Sequence, residues 1–113
     1  MKTKDFRYLI GAECARLVTL GSIQAIAQEL HSRGITGYVG CVVECPLARA
    51  LSDTLMISDG SIFVAPNGVY KPWQLYDRRQ KLVAFQGDFG MLHDFVLAFD
   101  KGDFPSLVQE NDP

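Results

Sequence analysis

Residues 44–51 read Glu44-Cys45-Pro46-Leu47-Ala48-Arg49-Ala50-Leu51, and within this stretch a run of strand-forming residues has to turn into a helix. Proline is accepted at the first position of a helix, where its missing N–H would have had no partner, so Pro46 predicts the helix start and Cys45 its N-cap. A thiol at a helix N-terminus has a lowered pKa where solvent reaches it. A buried thiol instead caps the helix and packs like a small apolar group, and this is the interpretation we favour.

Two helices are predicted before this junction. Apolar residues recur at roughly helical spacing from Asp5 to Val18, and Ser22 is placed to cap a second helix. The apolar positions of that second helix follow the i, i+3, i+4, i+7 pattern and are Ile23, Ile26, Ala27 and Leu30. Gly34 supplies its C-terminal stop.

This helix pair has the outline of a helix-turn-helix, so a DNA-binding regulator is one alternative function. The second helix carries polar side chains of mixed charge rather than a basic face, namely Gln24, Gln28, Glu29, His31 and Arg33. We therefore favour a packing hairpin, and we keep duplex binding that depends on Arg33 as the alternative.

A β-hairpin is predicted after the junction helix, which runs from Pro46 to about Asp53. Thr54–Ser58 and Ser61–Ala65 are strand-like runs separated by Asp59-Gly60, a strong hairpin signal, so the predicted hairpin covers residues 54–65. Alternation buries one set of side chains and exposes the other. The buried set is Leu55, Ile57, Ile62 and Val64, and the opposite face carries Met56 and Phe63.

The remaining elements complete an α+β prediction. Tyr38–Val43 is a short strand or an extended loop, Leu82–Phe85 is a third strand, and Asp88 caps a final helix over residues 88–101. Residues 110–113 are expected to fray. The predicted fold is two N-terminal helices, a short helix starting at Pro46, an antiparallel sheet of two to three strands, and a C-terminal helix covering the sheet.

The composition fits one domain spanning residues 1–113. Eleven Lys and Arg against 13 Asp and Glu give a formal charge of −2, which offers no general attraction to nucleic acid or to an anionic membrane. The N-terminus lacks the pattern of a signal peptide, and no run of about 18 apolar residues occurs. Three cysteines are too few for a disulfide framework. We expect a cytoplasmic protein with free thiols.

The segment from Tyr70 to Lys81 is the most aromatic and basic part of the chain. Pro72 argues against a central strand there. Aromatic and arginine side chains are enriched at protein interfaces, and the same mixture can stack on single-stranded nucleic acid. We favour a protein partner, and the predicted contact residues are Tyr70, Lys71, Trp73, Tyr76, Arg78, Arg79 and Lys81.

Two kinds of chemistry are open to the cysteines. Cys45 could act as a nucleophile or redox sensor with His31 or His93 as its base, although the sequence reveals neither an oxyanion site nor a group that orients the base. Cys41 and Cys45 could bind a metal together with Cys14 and the two histidines. Structural zinc sites usually need two such pairs, so we predict neither a metal nor another cofactor.

Two motifs, Cys45–Leu51 and Phe95–Leu107, resemble a group of small bacterial and phage proteins that have no assigned activity. Those proteins share a Cys-Pro-Leu-Ala element, a C-terminal Phe-Asp-x-Gly-x-aromatic-Pro-x-Leu element, and an Ile-Ala-x-x-Leu helix that ends in glycine. The helix corresponds to Ile26–Leu30 followed by Gly34. The resemblance implies a small accessory protein of phage or mobile-element type.

From these observations we predict a non-enzymatic accessory or inhibitor protein that occupies a surface on a larger partner protein. The predicted contact surface is the 71–81 segment together with the exposed face of the hairpin. The alternatives are a thiol-dependent enzyme or redox sensor at Cys45 and a DNA-binding regulator. A sheet of few strands also leaves edges that offer a route to a homodimer.

Overall fold

The structure, a computed structural model, describes residues 3–71 and 81–109, with side chains from residue 7 onwards. It is a small α+β domain, as predicted. The helices are α1 (Thr3–Val18), α2 (Ile23–Ser32), α3 (Pro46–Thr54) and α4 (Gly90–Lys101), and the strands are β1 (Phe63–Ala65), β2 (Gly68–Tyr70) and β3 (Val83–Ala84). Short 3₁₀ turns at Gly87–Phe89 and Pro105–Leu107 flank α4.

The two N-terminal helices form where the apolar spacing predicts them. The hydroxyl of Ser22 accepts a hydrogen bond from the backbone N–H of Ala25 at 3.0 Å, which caps α2. Ile26, Ala27 and Leu30 of α2 are buried in the core. The helix ends at Arg33, and Gly34 follows in the left-handed region at φ 74°.

The junction at residues 44–51 also forms as predicted. Pro46 is the first residue of α3, and Cys45 is the N-cap, with its sulfur accepting a hydrogen bond from the N–H of Ala48 at 3.4 Å. The apolar face of α3 lies in the core and includes Leu47 and Leu51. Residues 38–43, left open between strand and loop, form a loop of turns outside the named strands.

The predicted hairpin over residues 54–65 is wrong. Thr54 belongs to α3, and Leu55 is the C-cap of that helix, so the first predicted strand does not exist. A turn does form at Asp59-Gly60, with Ser61 N–H bonded to the Ser58 carbonyl at 3.3 Å, but Asp59 does not adopt the positive φ of a type I′ turn. A turn without that geometry splays the strands on either side of it. In addition, the residues that were predicted as the first strand begin with the end of α3.

The observed sheet is antiparallel, with strand order β1-β2-β3. β1 and β2 form a hairpin closed by Pro66-Asn67, with Ala65 opposite Gly68. β3 joins the other side of β2, as the prediction of a third strand anticipated. The outer edge of β1 is occupied, because the N–H of Val64 donates to the carbonyl of Val42 at 2.8 Å.

One core joins all four helices to the sheet. The predicted final helix forms as α4 and buries Leu92, Phe95, Val96 and Phe99. The predicted cap is wrong, because Asp88 lies inside the preceding 3₁₀ turn and no side chain caps that turn or α4. Phe104 follows α4 and stacks on Phe95 with ring centroids 5.5 Å apart. Among the described residues, no single helix is long and apolar enough to cross a membrane; part of α1 and α2 reach that length only as a pair bent by 111°.

Candidate functional site

Cys45 is a buried structural thiol. Its side chain is 5% exposed, and burial raises the pKa of the thiol to about 11, although the N–H groups of Ala48 and Leu47 act in the opposite direction. The helix N-terminus lowers a cysteine pKa effectively only where solvent also reaches the sulfur. At neutral pH Cys45 is therefore a neutral thiol, which suits its buried position among apolar side chains.

The two histidines lie apart from Cys45. The small cavity beside the sulfur is lined by Cys41, Val64, Val96 and Asp100, among others, and contains neither histidine. His31 lines a groove between α2 and Phe104. His93 lies at a different groove, where its Nδ1 is 3.1 Å from the carboxylate of its neighbour Asp94. The structure does not bring the predicted nucleophile and bases together.

The cysteines do not assemble a metal site within the described part of the chain. No group of three or more His, Cys, Asp or Glu side chains there is arranged to hold a metal ion. Cys14 is fully buried in α1, and burial, with a smaller contribution from the nearby Glu13 charge, raises the pKa of its thiol to about 12. Cys41 is half-buried, and all three cysteines are free thiols.

The predicted partner-binding segment is described only at its two ends. Trp73, Tyr76, Arg78 and Arg79 lie outside the described residues. Tyr70 is 4% exposed, and its ring meets Phe63 edge-on at 6.1 Å, so the structure makes it a packing residue rather than a surface contact. Lys71 and Lys81 are half-buried, and the Lys81 ammonium lies 5.9 Å from the centre of the Tyr70 ring.

Arg16 of α1 and Arg33, the C-cap residue of α2, are held by ion pairs around the buried carboxylate of Glu13. Arg16 makes two hydrogen bonds to this carboxylate, at 2.7 and 2.8 Å, and a third to Glu29 at 2.9 Å. Arg33 binds Asp53 at 2.9 Å and also lies 4.0 Å from Glu13. Arg33, the residue on which the DNA-binding alternative depends, is therefore occupied by contacts within the chain.

This network ties α1 to α2 and α3 and keeps Glu13 ionised. Burial alone would raise the pKa of Glu13, but the hydrogen bonds from Arg16, the charge of Arg16, the Thr54 hydroxyl and the charge of Arg33 outweigh it. The net effect is a pKa lowered from the ordinary value of 4.5. A buried, fully paired carboxylate of this kind stabilises helix packing and is poorly suited to accept a proton at neutral pH.

Arg49 is another arginine whose side chain is held by contacts within the chain. Its guanidinium donates to the Thr36 carbonyl at 3.0 Å, to the Gln109 side chain, and to Glu44 at 3.2 Å. The same group lies 5.3 Å from the centre of the Tyr38 ring. These contacts join α3 to the 36–44 loop and to the C-terminal segment, so the guanidinium is committed to the fold.

Met56 is the most exposed large apolar side chain among the described residues. It is 92% exposed and has φ 58°, the left-handed conformation that glycine normally takes at this place. Two backbone hydrogen bonds fix it there: Met56 N–H to Asp53 carbonyl at 3.1 Å, and Ile57 N–H to Ser52 carbonyl at 3.0 Å. This pair of bonds is the Schellman motif at a helix C-terminus.

Met56 stands beside an open groove between α1 and α3. The groove has a volume of about 380 Å³, and we call it the Met56 groove; it is lined by Leu9, Ala12, Glu13, Arg16, Thr54, Leu55 and Met56. Leu9 is 37% exposed and its neighbour Tyr8 is 75% exposed. The result is an apolar surface patch assembled from two helices.

The sequence anticipated one part of this patch. Alternation placed Met56 on an outward face, although within a strand that does not form. Leu9 is one of the apolar residues whose spacing predicts α1, so the sequence carries no signal that it lies exposed in the groove.

Comparisons with protein-family models, with curated proteins and with solved structures found no match for this chain. The resemblance to small bacterial and phage proteins therefore stays a prediction, and the functional argument depends on the geometry alone.

Proposed function

We propose that this chain is a non-enzymatic accessory or inhibitor protein that binds a larger partner protein through the Met56 groove. The observation that carries the proposal is Met56 itself, an apolar side chain that is almost fully exposed and held in the left-handed region. The surface around it supplies the rest of a contact site.

The backbone position of Met56 has a physical consequence. A residue with a Cβ in the left-handed region is disfavoured by about 1–2 kcal/mol, and helix C-termini of this type usually carry glycine there. Nothing in the fold offsets this strain through burial of the side chain, because the side chain is in water. Strain of this kind concentrates at functional positions, which supports a role for the methionine outside the folding of its own chain.

The chemistry of the groove suits a protein partner. Methionine is unbranched and polarizable, so it adapts to varied partner surfaces. The charged groups that line the groove, Glu13 and Arg16, are bound to each other. A partner side chain that enters the groove therefore leaves neither charge without a hydrogen-bond partner.

The alternatives have less support from the described residues. A thiol enzyme needs an accessible thiolate, whereas Cys45 is buried with a raised pKa and lies apart from both histidines. A DNA-binding helix pair needs free cationic side chains, whereas Arg16 and Arg33 are paired with carboxylates. The 71–81 segment remains a predicted second part of the contact, and the double change Trp73→Ala with Arg78→Ala tests it separately.

A site-specific cross-linking experiment tests the proposal. A photoreactive amino acid at position 12, inside the groove, is used to capture host proteins, and the captured partner is purified for binding measurements. We expect Met56→Gly to weaken partner binding by about 10-fold or more, the loss typical of a hot-spot residue. The matched control is Leu97→Gln, which removes a half-exposed apolar side chain of α4 away from the groove. Equal binding by Met56→Gly and the wild type would refute the proposal.

A further inference from the structure

Two of the three cysteines lie on the loop before α3 and border the same cavity. Cys41 begins the last turn of that loop, in which the N–H of Glu44 donates to the Cys41 carbonyl at 3.3 Å, and Cys45 follows as the N-cap of α3. Both side chains line a cavity of only about 20 Å³. We propose that these two thiols are a redox pair, which a small disulfide such as oxidised glutathione converts into an intrachain disulfide between Cys41 and Cys45.

The turn brings the two cysteines within reach of each other. A β-turn holds the Cα atoms of its first and fourth residues less than about 7 Å apart, and Cys45 is the next residue after this turn. A disulfide needs Cα atoms about 4.4–6.8 Å apart, a spacing that this part of the loop reaches by a small closure. The turn hydrogen bonds on either side of Cys41 are long, at 3.3 Å each, and they leave room for that closure.

The two thiols differ in access, and the difference sets the order of reaction. Cys41 is half-buried, whereas Cys45 is 5% exposed. The cavity holds little more than one water molecule, so glutathione does not reach the Cys45 sulfur through it. Burial, together with the charges of Asp100 and Cys41, also raises the pKa of Cys45 to about 11, which keeps its thiolate scarce. Cys41 therefore meets the oxidant first, and Cys45 reacts only with the sulfur of Cys41.

The reaction is a pair of thiol–disulfide exchanges. The Cys41 thiolate attacks one sulfur of oxidised glutathione, a bond forms between these two sulfurs, and the other glutathione leaves as its thiolate. Cys45 then gives its proton to water, its sulfur attacks the Cys41 sulfur, and the second glutathione leaves in the same way. In total, two cysteine thiols are oxidised and one glutathione disulfide is reduced to two molecules of glutathione.

Oxidation would change the start of α3. In the reduced chain the Cys45 sulfur accepts a hydrogen bond from the Ala48 N–H at 3.4 Å. In the disulfide this sulfur turns toward Cys41 and leaves the N–H without its acceptor, as the loss of an N-cap does. The pair would thus couple the redox state of the surroundings to the stability of α3, independently of partner binding at the Met56 groove.

Peptide mapping of the native chain tests the pair. The reduced wild type is incubated with oxidised glutathione, its remaining thiols are blocked with iodoacetamide, and the chain is digested with trypsin. Cleavage after arginine places Cys41 and Cys45 together in the 34–49 peptide and Cys14 in the 8–16 peptide. We expect the first peptide to lose two hydrogen atoms and the second to keep its thiol, since Cys14 is fully buried.

Single variants separate the roles of the two thiols. Cys45→Ala should stop at a glutathione adduct on Cys41, and Cys41→Ser should react about 10-fold or more slowly than the wild type, because the thiols that remain are buried. A wild type that ends as the glutathione adduct, or that reacts no faster than Cys41→Ser, overturns the proposal.

Hydrogen exchange at the Ala48 amide gives the structural readout. Exchange should become several-fold faster when the wild type is oxidised and return to its original rate when a thiol reductant is added. An oxidised chain whose Ala48 amide exchanges at the unchanged rate would overturn the coupling between this disulfide and α3.

Discussion

Gly37 packs directly against Pro46. A Cβ atom at position 37 would lie 2.5 Å from the Pro46 nitrogen and 2.5 Å from the Glu44 carbonyl oxygen, distances that real side chains do not reach. The backbone of Gly37 also bonds the C-terminal segment on both sides, to the Leu107 carbonyl and from the Gln109 N–H, each at 2.8 Å. This glycine therefore holds the α3 junction and the chain end together.

Replacing Gly37 by alanine should destabilise the fold. The atoms in the way are backbone atoms and the proline ring, which have little freedom to move, so we expect a loss of about 1–3 kcal/mol in the free energy of unfolding. Urea denaturation followed by circular dichroism measures it. Gly11→Ala is the control: position 11 lies in α1 with open space around it, and this change should stabilise by about 0.5–1 kcal/mol. Equal stability of Gly37→Ala and the wild type would contradict the packing.

The capping role of Cys45 predicts a graded response to substitution. Cys45→Ala removes the acceptor for the Ala48 N–H and should reduce the free energy of unfolding by about 1 kcal/mol. Cys45→Ser keeps an acceptor at the same place and should lose less. Thermal unfolding compares the two variants, and an alanine variant as stable as the serine variant would argue against the cap.

The raised pKa of Cys45 predicts alkaline destabilisation. In the unfolded chain the thiol ionises near pH 9, but in the fold its pKa is about 11, so between these values the unfolded state binds fewer protons than the native state. Stability should therefore be retained below pH 9 and fall as the pH rises toward 11. In Cys45→Ser, the free energy of unfolding should fall less steeply between pH 9 and pH 11 than it does in the wild type. An unchanged slope would show that Cys45 does not titrate in this way.

Glu13 predicts the opposite behaviour on the acid side. Its pKa is lowered in the fold, so its stabilising contribution is present above pH 4.5 and is lost as the pH falls through the lower folded value. Glu13→Gln should be less stable at pH 7 by about 2 kcal/mol, because Arg16 loses a charged acceptor that is buried. The difference between variant and wild type should shrink below pH 4.5. A difference that is constant from pH 7 to the acid limit would exclude Glu13 as the source.

Short-range signals in the sequence were sufficient for the helices. The proline at the start of α3, the serine before α2 and the apolar spacing of α4 are each local chemistry, and each predicted its element correctly. The 54–65 hairpin failed because two local signals competed. Asp59-Gly60 did form a turn, but residues 54–56 were needed to finish α3 and its C-terminal hydrogen bonds.

The candidate site was predictable only in part, because it is made by tertiary packing. The outward position of Met56 followed from alternation, yet the groove beside it depends on the meeting of α1 with α3, which no local pattern specifies. Tyr70 is a second residue whose exposure no local pattern specifies. It belongs to a polar and aromatic run, but it is buried because β2 is the central strand of the sheet.

Met56 makes a final prediction in which binding and stability change in opposite directions. Met56→Gly should raise the free energy of unfolding by up to about 1 kcal/mol, because glycine relieves the left-handed strain while its greater loss of chain entropy offsets part of the gain. Met56→Ala is the matched control, since alanine retains the strain and removes the same exposed side chain, so its stability should stay close to that of the wild type. Both variants should bind the partner equally poorly. Chemical denaturation and a binding titration on the same three proteins decide the matter. A glycine variant less stable than the alanine variant would mean that the backbone at position 56 is not strained, and the main argument for a functional methionine would fail.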